Sequence, residues 1–147
     1  MKYFTDKELR CKCCGQLPPQ VRENLMALVD NILDPVREKL GRPVYITSPY
    51  RCLKHNTAVG SKPTSQHIKG EACDVYIGTP EENITLARLI LENGKFDQMI
   101  LYTNSATSLA PRFIHVSYKR FGENRHRILK QVRGTSTYTV VSHREII

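Results

Sequence analysis

The sequence predicts an α+β domain: helices packed on a small, mostly antiparallel sheet. Three segments of the 147-residue chain read as helices, and four short runs rich in β-branched or aromatic residues read as strands. The last two of those runs, "FDQMILYT" and "PRFIHVSY", are separated only by the polar stretch "TNSATSLA", which suits a hairpin. The length fits one domain able to bury roughly two-thirds of the surface an unfolded chain exposes.

The elements follow in order. Residues 1–18 form a lead-in anchored by Phe4 and Leu9. Between Pro19 and Leu40 the apolar positions Val21, Leu25, Leu28, Val29, Ile32, Leu33, Val36 and Leu40 recur every three to four residues, the signature of an amphipathic helix. Pro19 suits its first turn, Pro35 predicts a kink or break near Asp34, and Gly41 ends it. "PVYITS" is a first strand. Residues 49–67 lack periodicity and read as a long surface loop, a kind of segment that is usually functional. "GEACDVYIG" is a second strand; alternation puts Ala72, Asp74 and Tyr76 on one face and Glu71, Cys73 and Val75 on the other. "TPEENITLARLILENG" carries a full set of helix signals: Thr79 as N-cap, Pro80 first, Glu82 closing a capping box, and Asn93-Gly94 at the end. After the hairpin, "GENRHRILKQVR" is expected as a short helix. Residues 1–133 are read as the functional domain and 134–147 as a C-terminal tail in which "TYTVV" can add an edge strand.

Composition narrows the function. Hydrophobic content of 40% and charged content of 24% are those of a globular protein. No apolar run is long enough to span a bilayer, so membrane insertion is not expected. The opening "MKYFTDKELR" lacks the apolar stretch of a secretory signal, so synthesis in the cytoplasm is the expectation. The net charge of +8 favours polyanions, including nucleic acid or an anionic cell-wall polymer. A nucleic-acid surface would draw on Lys119, Arg120, Arg125, Arg127, Lys130 and Arg133, but few aromatic residues accompany them to stack on bases. Oligomeric state is not legible.

Five cysteines, Cys11, Cys13, Cys14, Cys52 and Cys73, carry no expectation of disulfides in a reduced compartment. "CKCCG" suggests a zinc knuckle, yet no second pair at knuckle spacing follows it. "CLKH", with Cys52 and His55, is the nearest candidate, and small buried thiols are the alternative reading.

The strongest chemical signal is "SQHIKGEACD". Its His67 and Asp74 can converge if the chain turns at Gly70, and His115 in "FIHVS" can join them if its strand neighbours that of Asp74. Two imidazoles and a carboxylate suit zinc, with one position left for water. A structural carboxylate and an ordinary strand histidine are the competing reading of the same residues.

The stretch "YRCLKHNTAVGSKPTSQHIKGEACDV" resembles the zinc D-alanyl-D-alanine carboxypeptidase and hedgehog-like metallopeptidase family. Its S-x-H-x-x-G-x-A-x-D hallmark is matched by Ser65, His67, Gly70, Ala72 and Asp74, and its late histidine strand by "FIHVS". "FDQMI" and "NRHRIL" also resemble a short, single-domain branch found in phages and bacteria. The resemblance runs from about Phe4 to Arg133. It implies one zinc ion held by His67, Asp74 and His115, with Arg51 near the substrate carbonyl or carboxylate and Ser65 and Gln66 lining the same loop. The implied activity is metal-assisted hydrolysis of peptide bonds in peptidoglycan stem peptides, by a D,D-carboxypeptidase or an endolysin-like endopeptidase delivered to the cell wall from a phage-type source. The chain departs from the family pattern at the general base: Arg112 and Tyr102 stand where branches of the family carry an acid. Tyr102 can orient substrate or polarise its carbonyl, and Gln98 shares its face. A zinc domain with weak or no catalysis, binding wall fragments or a protein partner, is the alternative.

Overall fold

The computed structural model describes residues 1–147. A six-stranded sheet in the order β1-β2-β4-β3-β5-β6 is its centre. The strands are β1 (Tyr45–Ser48), β2 (Ala72–Tyr76), β3 (Gln98–Thr103), β4 (Pro111–Ser117), β5 (Arg127–Val132) and β6 (Tyr138–Val140). All neighbours are antiparallel except β3 and β5, which run parallel. The predicted α+β architecture with a mostly antiparallel sheet is the observed one.

One face of the sheet is apolar and covered. Cys73, Val75, Met99, Leu101, Ile114, Val116 and Ile128 are buried there with side chains of three helices: α2 (Pro19–Leu28), α3 (Asp34–Leu40) and α6 (Pro80–Asn93). The helical period read from residues 19–40 holds. Leu25, Leu28, Val29, Ile32, Leu33 and Val36 are in the core, and Val21 and Leu40 pack at its edge. At α6 the capping box forms as expected: Thr79 Oγ1 accepts from Glu82 N–H at 3.3 Å, and Glu82 Oε1 from Thr79 N–H at 3.0 Å.

Pro35 does not break the long helix. The chain widens into one π-helical turn, Val29–Leu33, while Leu33 and Asp34 stay helical. A proline lacks the N–H that would bond the carbonyl four residues back, and its ring crowds that carbonyl. The extra residue in the turn relieves the crowding. The Asn31 carbonyl, four residues before Pro35, accepts from Asn93 Nδ2 at 3.0 Å, at the end of α6.

Three other expectations change. The lead-in holds a short helix, α1 (Asp6–Leu9), with Phe4 and Leu9 buried as anchors. Residues 49–67 are not one irregular loop: they contain α4 (Leu53–Ala58) and the start of α5 (Gln66–Lys69), each begun by a side-chain cap, from Cys52 and Ser65. "GENRHRILKQVR" is not a helix but a turn followed by β5. Its helical propensity loses to the open edge of β3, where six residues pair in register from Gln98–Arg127 to Thr103–Val132. Arg125 N–H, bonded to Asp97 Oδ1 at 2.8 Å, pins the return to the start of β3.

"TYTVV" supplies β6, paired with β5, and α7 (His143–Ile146) follows. Val141 and Ile146 join the same core, so residues 134–147 pack onto the domain. No helix is long and apolar enough to cross a membrane.

Candidate metal centre and cleft

Strand register builds the site on the uncovered face. Asp74 on β2 lies directly opposite His115 on β4, and His115 lies opposite Ile100 on β3. Partners across a ladder share a face, so Asp74, His115 and Ile100 line one side together with Gln98 and Tyr102, two residues either way. The same logic carries across β5 and β6: Tyr102 pairs with Gln131, and Gln131 with Tyr138.

His67 arrives from above the sheet. Ser65 starts α5, its Oγ accepting from His67 N–H at 3.3 Å. Gly70 ends the helix with φ +74°, and a Cβ there would fall 2.6 Å from the Val21 carbonyl oxygen. Only glycine meets both demands. The chain then enters β2 through Ala72, which is fully buried. Each spaced residue of the S-x-H-x-x-G-x-A-x-D pattern thus helps fold the seven-residue path from His67 to Asp74.

Three ligand atoms converge. His67 Nε2 lies 3.2 Å from Asp74 Oδ1 and 3.2 Å from His115 Nδ1, and His115 Nδ1 lies 3.1 Å from Asp74 Oδ1. Tetrahedral zinc with bonds of about 2.0–2.1 Å separates its ligands by roughly 3.3–3.4 Å. Proton count points the same way. His67 Nδ1 sits 2.8 Å from the Pro49 carbonyl, which only accepts, so Nδ1 carries the proton and Nε2 offers a lone pair. Burial pulls the His115 pKa down, and its hydrogen bond to Asp74 only partly offsets this, so the ring is neutral near pH 7. Burial alone would raise the Asp74 carboxyl, but the adjacent His115 and His67 rings outweigh it and hold the group ionised. Three electron-rich atoms share at most one proton, an arrangement that a cation completes.

Arg51 closes the back of the centre. Its Nη2 lies 3.3 Å from Asp74 Oδ2, its Nε donates to Ser48 Oγ at 2.9 Å, and its backbone N–H donates to the His67 carbonyl at 3.1 Å. Asp74 is therefore gripped on Oδ2 and free to turn Oδ1 to the centre.

The three ligand candidates lie in a cleft of about 890 Å³. Arg51, Tyr102, Ser65, Gln66 and Gln98, all singled out from the sequence, line it too. Sequence reading missed Arg125, Gln131 and Tyr138, because it placed the first two in a helix and the third in a tail. Asp74 is the only carboxylate in the lining. Asp97, the next carboxylate, is fully buried at the root of β3. It accepts from Arg125 Nε at 3.0 Å, Arg125 Nη2 at 2.7 Å and Gln66 Nε2 at 3.2 Å. Burial would raise its pKa, but the Arg125 bonds and the nearby Lys119 charge bring it down to about 2. Tyr102 stacks on Phe113 with ring centroids 4.6 Å apart, and burial with the neighbouring Tyr138 phenol pushes its hydroxyl well above the usual range. It cannot act as a base at neutral pH.

The proposed nucleic-acid cations are largely occupied. Arg125 pairs with Asp97, Arg120 with Glu23, and Lys130 is buried with its ammonium on the Ala106 carbonyl.

A mixed sheet with two histidines and one carboxylate converging on its open face is an arrangement that suits a metallopeptidase. The family model for peptidase M15 matches residues 2–117, and the chain belongs to that family. No curated protein matches the chain.

Proposed function

We propose that the chain is a zinc-dependent peptidase that hydrolyses peptide bonds in peptidoglycan stem peptides, as a D,D-carboxypeptidase or an endolysin-like endopeptidase acting at the cell wall. The observation that carries this reading is the convergence of His67, Asp74 and His115 within 3.1–3.2 Å at the floor of the cleft. These three residues would hold one zinc ion, which supplies a water of lowered pKa and polarises the scissile carbonyl.

The chain's own groups do the rest. Pro49 fixes the His67 tautomer and Arg51 fixes Asp74. Arg51 also presents guanidinium N–H groups to a substrate carbonyl or terminal carboxylate. Gln98 and Gln66 offer amide donors and acceptors along the same wall, and Ser65 holds the backbone of His67 in place. Arg51, Lys62 and Arg125 against one carboxylate make the lining net cationic. That balance suits a short peptide bearing free carboxylates, as stem peptides do, and the cleft volume holds a ligand of that size.

One observation favours a second reading, a zinc domain that binds wall fragments or a protein partner without turnover. Asp74 is the only carboxylate in the lining, and the Tyr102 hydroxyl resists deprotonation. A single experiment separates the two. Zinc-loaded protein is incubated with defined stem peptides and with purified peptidoglycan, and products are read by mass spectrometry, with a chelated sample and His67→Ala as controls. Metal-dependent release of terminal D-alanine or of internal fragments is the expected result. Full zinc content with no product from any substrate would sink the peptidase reading in favour of the binding domain.

A further inference from the structure

Away from the cleft lies a second group of soft ligands. The sulfurs of Cys11, Cys14 and Cys52 all lie within 4.8 Å of one another, and all three cysteines are free. The first two come from one tight turn. Cys11 N–H donates to the Gln16 carbonyl at 3.0 Å, Gly15 N–H donates to the Cys11 carbonyl at 2.7 Å, and Gly15 takes a left-handed φ of +70°. The turn Cys-Lys-Cys-Cys-Gly folds back so that Cys14 meets Cys11, which is the shape of a zinc knuckle. The third sulfur comes from 38 residues beyond Cys14, at the cap of α4. Cys52 N–H points at Cys11 Sγ at 3.4 Å, and Cys52 Sγ accepts from His55 N–H at 3.4 Å. Backbone N–H groups aimed at sulfur favour the thiolate form that metals bind.

Packing does not account for the trio. Cys11 is buried, but Cys52 is half-buried and Cys14 is exposed, so the cluster runs from the core to the surface. We propose that Cys11, Cys14 and Cys52 bind a second, structural zinc ion, distinct from the one assigned to His67, Asp74 and His115. Zinc–sulfur bonds of about 2.3 Å place tetrahedral sulfurs roughly 3.8 Å apart, within reach of the observed spread. Binding releases the thiol protons to solvent and forms three zinc–thiolate bonds. The fourth position falls to water. Cys13, exposed and outside the cluster, is not a ligand. The ion would staple the N-terminal segment to the start of α4, next to Arg51.

The test is metal content and cobalt spectroscopy on the full chain, purified reduced and dialysed against metal-free buffer. Two zinc ions per chain are expected for wild type and Cys13→Ser, and one for Cys14→Ser, Cys52→Ser and His67→Ala. The cobalt-loaded wild type should show a strong thiolate-to-cobalt charge-transfer band that His67→Ala keeps and Cys52→Ser loses. Alkylation of wild type keeps the proposal falsifiable even where a cysteine variant fails to fold: zinc should protect Cys14 and Cys52, and a chelator should expose them. Absence of the cobalt band in wild type, or equal alkylation with and without zinc, would overturn the proposal. Loss of zinc in His67→Ala reports on the cleft centre alone, so the two sites fail separately.

Discussion

The two walls of the cleft are built from opposite materials. The near wall, from β2, β4, α5 and the segment between β1 and α4, is charged, cross-bonded and buried: His67, Asp74, His115 and Arg51 lie 3.1–3.3 Å from one another or from Asp74. The far wall, from β5, β6 and the turn between them, presents Leu129, Gln131, Ser136 and Tyr138, all uncharged, with Arg125 at its edge held by Asp97, and Tyr138 is about half exposed. The near wall falls inside the residues matched by the peptidase M15 model and the far wall beyond them. Under the proposed function the contrast becomes a division of labour: rigid charged groups would fix the chemistry, and a neutral, accessible surface would contact the rest of the ligand.

The hardest blow to that contrast is His67→Ala. Loss of a centre ligand should lower kcat/KM by about 10³-fold or more, the equivalent of about 4 kcal/mol of transition-state stabilisation, with zinc lost from the cleft. Activity that survives with the metal gone would remove the near wall from the chemistry. Arg51→Ala comes next, at about 10²-fold in kcat/KM, the scale of one lost transition-state donor, while zinc stays bound. Zinc loss in that variant would make Arg51 a holder of Asp74 and nothing more.

Between the walls, Asp97 ties Gln66 to Arg125, and its test is pH. Its carboxyl is held at about 2 in the fold against 3.8 when free. A depressed folded pKa gives stability that is present above the free value and lost as pH falls through the folded one. Wild type should therefore lose about 2 kcal/mol more than Asp97→Asn between about pH 5 and pH 2, measured by urea unfolding. Parallel curves would show that the carboxylate is not coupled to folding. The smallest effects belong to the far wall. Tyr138→Ala and Gln131→Ala should raise KM by about 3- to 10-fold, the size of one net hydrogen bond or contact, and leave kcat nearly unchanged. A large fall in kcat from either would erase the division of labour.

Legibility followed the range of the interactions. The α6 capping box, the helical stripe of residues 19–40 and the hairpin were readable because their signals lie within a few residues of what they specify. The candidate ligands were readable because the turn at Gly70 carries His67 to Asp74 locally and because "FIHVS" has a family resemblance. "GENRHRILKQVR" was misread because its strand exists only by pairing with β3. Gln131 and Tyr138 went unseen for the same reason, and Arg125 was read only as a candidate nucleic-acid cation.

The sequence by itself therefore determined the elements whose hydrogen bonds close locally, the apolar face that must be buried, and the residue types able to hold a metal. Tertiary structure alone decided the rest: that His115 stands opposite Asp74, that the Asn93 amide reaches the Asn31 carbonyl, and that Cys52 meets Cys11 and Cys14. Each of those contacts joins residues tens of positions apart, and local chain chemistry does not encode the register that brings them together.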